Sequence, residues 1–238
     1  MQYYRLYIIC GIFLSLSFLV VIPATSTDWK EEYHNGIVLY NLGQYEEALH
    51  VFNKALEINP DYAKLWDMKG YSLQNLGKTT DAIEAYNKSL EINPNNAQVW
   101  NTKGSALYDL GQYEEALIAY NTAIEIDPNH HSRFWYNKGN TLQKLGQYEE
   151  AITAYNKSLE IYPENAEVWI NKGDALKISG KIEEAIAAYD KALEIDPNNT
   201  ALEKRESLIR KTNTPIPITV LTLIFGIGLG FIITKKKK

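Results

Sequence analysis

The chain has 238 residues, 45% of them hydrophobic and 22% charged, which fits an ordinary globular protein of one or two domains. Its 24 basic and 29 acidic residues leave a net charge of −5, and an acidic surplus repels phosphate backbones, which argues against nucleic acid as a partner. A single cysteine, Cys10, closes no disulfide within the chain, so stability must come from packing.

The chain opens on an apolar run from Leu6 to Ile22, preceded by Arg5 and followed by Pro23-Ala24-Thr25-Ser26. Small residues at Ala24 and Ser26 suit cleavage before Thr27, so residues 1–26 read as a secretory signal or, uncut, as an anchor. Cys10 lies inside this segment, preceded by Ile8 and Ile9 rather than the small residues of a lipoprotein cleavage box.

From residue 29 onward the chain repeats. Glycines fall at Gly36, Gly70, Gly104, Gly139 and Gly173 and prolines at Pro60, Pro94, Pro128, Pro163 and Pro197, both stepping by 34, 34, 35 and 34 residues. The same step carries a second glycine (Gly43, Gly77, Gly111, Gly146, Gly180), an alanine (Ala48, Ala82, Ala116, Ala151, Ala185) and an aromatic (Phe52, Tyr86, Tyr120, Tyr155, Tyr189). Each unit predicts two helices. The second glycine sits where the first helix must stop in a left-handed residue. Ala48, Phe52 and Ala55, spaced by four and three, predict an inward face on the second helix. The proline, lacking an N–H, ends that helix.

Trp66, Gly70, Leu73, Leu76-Gly77, Ala82, Tyr86 and Pro94 resemble the tetratricopeptide repeat signature, and the later units match it equally well, with Trp100, Trp135 and Trp169 at the early aromatic position. The units are expected at 29–62, 63–96, 97–130, 132–165 and 166–199, with a cap helix over 200–212 whose polar Glu203, Lys204, Arg205 and Glu206 cover the last repeat and turn it to solvent. The expected fold is all-α: a right-handed α-solenoid of five helix-turn-helix repeats plus the cap, flanked by the N-terminal signal and one C-terminal transmembrane helix. Departures are informative. Glu32 replaces the tryptophan in the first unit, as suits an outer side meeting water; Thr79 replaces a tyrosine; Lys69, Lys103, Lys138 and Lys172 precede the first glycine and are expected to snorkel. One extra residue at His130-His131 lengthens the joint between the third and fourth units.

The resemblance implies that the first helices line a concave groove for protein or peptide partners. Transferred by register, the groove positions are Tyr33, His34, Ile37 and Tyr40; Lys64, Asp67, Met68, Tyr71 and Gln74; Asn101, Thr102, Ser105 and Tyr108; Arg133, Tyr136, Asn137, Asn140 and Gln143; and Glu167, Ile170, Asn171, Asp174 and Lys177. Aromatics dominate the first half and amides the second, a mix of flat contact area with donors and acceptors for an extended backbone. Members of this family that clamp a C-terminal carboxylate use a lysine–asparagine–arginine set; Asn140 and Asn171 match it, but no basic pair completes it.

Beyond the repeats, Thr214 and Pro215 open an apolar stretch from Ile216 to Thr234, followed by Lys235-Lys236-Lys237-Lys238. Nineteen helical residues rise about 28 Å, enough to cross a bilayer core of ~30 Å, so a transmembrane helix is expected over 215–234 and a cytoplasmic basic tail over 235–238. Positive charge stays inside, which puts the repeats outside the cell membrane; the alternative is a cytosol-facing, tail-anchored adaptor. Removing Arg5 and the four terminal lysines from 24 basic residues leaves 19 against 29 acidic ones, about −10 for the displayed part.

Asn87, Asn156 and Asn198 each begin an N-glycosylation triplet, reachable if the repeats face outward. Gly226 and Gly230 form a small-xxx-small pair suited to self-association of membrane helices. His130-His131 lacks the neighbouring ligands of a metal site. No phosphate loop, nucleophile elbow or metal cluster points to catalysis or a cofactor, so the expected function is a membrane-anchored scaffold, or alternatively a self-associating structural spacer. The Trp-x-x-Lys-Gly wording resembles membrane-anchored tetratricopeptide proteins of methanogenic archaea.

Overall fold

The computed structural model describes residues 28–128, 131–198 and 200–212. The expected signal with Cys10, the transmembrane stretch with Gly226 and Gly230, the lysine tail and His130 lie outside the described residues. Among the described residues no helix is long and apolar enough to cross a membrane.

Eleven helices follow one another with no strand among the described residues: α1 (Trp29–Asn41), α2 (Tyr45–Ile58), α3 (Ala63–Asn75), α4 (Thr79–Ile92), α5 (Ala97–Asp109), α6 (Tyr113–Ile126), α7 (Ser132–Lys144), α8 (Tyr148–Ile161), α9 (Ala166–Ile178), α10 (Ile182–Ile195) and α11 (Ala201–Thr212). Starts and stops have local causes. Asp28, Asn96 and Asn165 accept backbone N–H groups of α1, α5 and α9 at 2.9, 3.3 and 3.2 Å. Two residues past the end of each odd-numbered helix from α1 to α9 stands a glycine in the left-handed region, as at Gly43 with φ +76°. There the Gly43 N–H donates to the Tyr40 carbonyl and the Gln44 N–H to the Leu39 carbonyl, both at 3.0 Å, which satisfies carbonyls the helix would leave unpaired.

Within a pair, the aromatic of the second helix lies flat against the glycine of the first. Phe52, Tyr86, Tyr120, Tyr155 and Tyr189 are all buried. A Cβ placed on Gly139 would come 2.5 Å from the Tyr155 ring, so only a bare backbone lets the two helices close on it. Between pairs, a tryptophan joins each first helix to the loop before it: Trp66, Trp100 and Trp169 donate their indole N–H to the carbonyls of Pro60, Pro94 and Pro163 at 2.7 to 2.9 Å. Trp135 reaches Pro128 at 3.1 Å across seven residues instead of six, so the extra residue is absorbed in the joint and the tether survives.

The lysines expected to snorkel do so over a ring. Lys69, Lys103, Lys138 and Lys172 stand 4.7 to 5.3 Å from the indole centroids of Trp66, Trp100, Trp135 and Trp169. Burial lowers the pKa of Lys103, Lys138 and Lys172.

Each helix packs on its neighbours in sequence, which makes a solenoid. First helices of adjacent pairs also touch directly, α1 with α3, α5 with α7 and α7 with α9, and second helices make no comparable contact among the described residues. The array therefore curves toward its first helices, which form the concave side.

Two end residues depart from expectation. Glu32 does not meet water: it is 5% exposed, with one carboxylate oxygen lacking a hydrogen-bond partner. Its place in the first turn of α1 puts that charge at the positive end of the helix dipole. In α11, Arg205 turns inward to 1% exposure and pairs with Asp190, because the cap must neutralise a carboxylate that the last second helix presents to it.

Candidate functional site

The first-helix face is where the pairs differ, and hydroxyls from the core reach it. Tyr86 donates to Gln74 at 2.9 Å, Tyr120 to Ser105 at 3.2 Å and Tyr189 to Asp174 at 2.8 Å. The Tyr155 hydroxyl lies 2.8 Å from both Asn140 Oδ1 and Gln143 Oε1. Burial holds the phenols of Tyr86, Tyr120, Tyr155 and Tyr189 well above their ordinary range, so they act here as neutral donors. In the first pair Phe52 has no hydroxyl, and the matching first-helix residue is the apolar Ile37.

Several expected groove residues are spent on the protein itself. Asn101, 3% exposed, accepts the Asn137 amide at 2.9 Å; Asp67, 7% exposed, accepts the Ser89 hydroxyl, and burial raises its pKa. Tyr71 packs against Tyr86 with ring centroids 5.6 Å apart. Tyr33 packs edge-on against Tyr62 at 5.6 Å, and Tyr40 accepts from Asn75 at 3.1 Å. Asp174 takes Lys204 from the cap and has Lys177 at 3.9 Å. Lys64 and Arg133 are exposed and line none of the pockets described below. Tyr136 donates to Glu167 at 2.7 Å and accepts Asn171 at 3.1 Å; burial first, and then that acidic acceptor, push its phenol up to about 12.

What remains open converges on the third to fifth pairs. Ser105, Tyr108, Asp109, Tyr120, Asn137 and Asn140 line a depression of about 160 Å³. Tyr108, Asn140, Gln143, Lys144, Tyr148, Asn171 and Ile178 line a second of about 350 Å³. The two share Tyr108 and Asn140, so they are neighbouring compartments of one groove. Six expected residues meet there: Ser105, Tyr108, Asn137, Asn140, Gln143 and Asn171. Asp109, Lys144, Tyr148 and Ile178 were missed. Their signal is positional: Asp109, Lys144 and Ile178 each end a first helix, where the side chain reaches past the last turn.

Larger cavities, about 640 and 390 Å³, lie on the opposite side. Leu49, Trp66, Lys69 and Leu73 line one, and Ile83, Trp100, Lys103 and Leu107 line the other, the same positions one repeat later. Curvature toward the first helices splays the second helices apart, and this periodic gap follows from that bend. Of the three glycosylation asparagines, Asn87 is half-buried at the edge of this gap, whereas Asn156 and Asn198 are exposed. His131 stacks on Phe134 at 4.7 Å and lies 3.6 Å from Asp127, and no group of three metal-ligating side chains occurs among the described residues.

No curated protein matches the chain. Family models described as tetratricopeptide repeat match residues 95–164 and 136–200, and one described as anaphase-promoting complex, cyclosome, subunit 3 matches residues 41–123. Among solved structures, YrrB, a TPR protein with an unusual peptide-binding site, is 24% identical over 76% of this chain and 93% of its own, with a TM-score of 0.68. MamA of Desulfovibrio magneticus RS-1 is 22% identical over 72% and 97%, with a TM-score of 0.68. The pilF protein of Pseudomonas aeruginosa is 25% identical over 78% and 84%, with a TM-score of 0.67. At such identity these likenesses speak to the fold. The two repeat-model matches overlap and take in α5 to α10 entire, so residues 95–200 carry tetratricopeptide repeats, and the helix pairs before them repeat the same turns and contacts.

Proposed function

We propose that the groove over α5, α7 and α9 holds an extended segment of a partner protein, and that the array serves as a membrane-anchored scaffold displayed outside the cell. The observation that carries the binding half is the pair of joined compartments on the concave side. They combine a half-buried ring, Tyr108, with amide groups that the fold leaves free: Asn137 uses its N–H and keeps its carbonyl oxygen, and Gln143 uses its carbonyl oxygen and keeps its N–H. A donor and an acceptor of that kind match an extended backbone. The peptide-binding site named for YrrB, a protein of the same fold, supports the reading.

The membrane half rests on sequence: an apolar leader, a C-terminal apolar stretch and four terminal lysines, together with wording that resembles archaeal membrane-anchored members. The array, right-handed by family resemblance, would then hang between the bilayer and its partner. Exchanging Tyr108 and Gln143 for alanine in the full chain should abolish capture of a partner segment and leave the circular dichroism unchanged; undiminished capture sinks the groove. Protease shaving of intact cells tests placement separately, since repeats that survive while a known surface protein is digested would put them inside.

A further inference from the structure

The joined compartments carry opposite charges at equivalent places. Asp109 ends α5 in the smaller one, and Lys144 ends α7 in the larger. In register, the five first helices end on Asn41, Asn75, Asp109, Lys144 and Ile178, so charge appears at this position only where the two compartments lie. Neither residue has an ion-pair or hydrogen-bond partner among the described residues, whereas the nearby charges Asp174, Lys177 and Lys204 satisfy one another. Asp109 stands exposed at the rim of its compartment, and partial desolvation there raises its pKa.

We propose that this groove selects an extended segment bearing one basic and one acidic side chain about three residues apart, and that the Asp109–Lys144 pair fixes which way the segment runs. The inference rests on the peptide-groove reading and adds the chemistry and polarity of the ligand. Neighbouring packed helices lie ~8–10 Å apart, and an extended chain rises ~3.3 Å per residue, so two to four residues carry it from one charge to the other. The basic side chain meets the Asp109 carboxylate beside the Tyr108 and Tyr120 rings, and the acidic one meets the Lys144 ammonium beside Gln143. The reverse orientation sets like charge against like in both compartments, and that repulsion supplies the selectivity.

The test presents the full chain with a randomised octapeptide library, blocked at both ends, and reads the retained peptides by mass spectrometry. Enrichment of a basic and an acidic residue two to four positions apart in one order is expected. Retained sequences resynthesised with the two charges exchanged should bind about tenfold more weakly. Asp109→Asn with Lys144→Gln should erase the order preference, and Asp109→Lys with Lys144→Asp should invert it, with circular dichroism confirming that both variants fold. Peptides enriched without charge order, and lost on the Tyr108 and Gln143 exchange, would overturn this inference and keep the groove. No enrichment by the folded chain would overturn the groove and this inference with it.

Discussion

The interior and the concave face of this array obey different rules. Inside, one contact recurs in every pair: an aromatic ring on a bare glycine, flanked by alanines that are fully buried. On the face, the residue next to that glycine changes each time, as Ile37, Tyr71, Ser105, Asn140 and Asp174. The difference teaches that shape is encoded by repetition and recognition by its failure. A position that must fill the same gap five times tolerates one solution, and a position that meets a partner is free to vary.

The sharpest way to break the comparison is to damage the interior. Tyr155→Ala removes a fully buried ring and should cost about 3–5 kcal/mol, read as a fall in the urea midpoint of unfolding. Gly139→Ala should cost about 1–3 kcal/mol, because the ring 2.5 Å from the new methyl group must move. If the interior is as uniform as it looks, Gly104→Ala should cost the same within error. A large disparity would show that the pairs are not mechanically equivalent.

Two smaller predictions probe charges at the edge of the interior. The folded-state pKa of Asp67 is raised by burial, so its ionised form opposes folding above that pKa, and the cost is relieved as pH falls through it. Asp67→Asn, which can still accept from Ser89, should therefore raise the urea midpoint at neutral pH and change little in acid; an equal gain at both would refute the electrostatic cause. Lys138→Met deletes the charge over Trp135 and should cost only about 0.5–1 kcal/mol, with the midpoint shift shrinking little in salt because the contact is partly buried.

The helix pairs were legible because their markers answer to local geometry. Gly43 needs a left-handed turn and Pro60 lacks an N–H whatever surrounds them, so their spacing alone announces the pair. The face was legible in placement but not in role. Asn101 and Asn137 both read as groove amides, yet they bond to each other, and only the approach of α5 to α7 decides that. Asp109 and Lys144 escaped notice because an exposed charge at a helix end reads as ordinary solvated surface, and only the neighbouring compartments give it a place. Glu32 and Arg205 were misread for the opposite reason: charge was taken as a sign of exposure, whereas both are buried.

The contact between Arg205 and Asp190 also marks where the array stops. The four earlier second helices carry an asparagine at this place, Asn53, Asn87, Asn121 and Asn156, and only the last carries the aspartate that mates with the cap. Interior units can be duplicated or deleted and still meet a compatible neighbour. Copied inward, the final one would leave its carboxylate without that guanidinium, because Arg205 belongs to the cap. A single nitrogen-to-oxygen exchange thus works as a full stop in an otherwise extendable sentence.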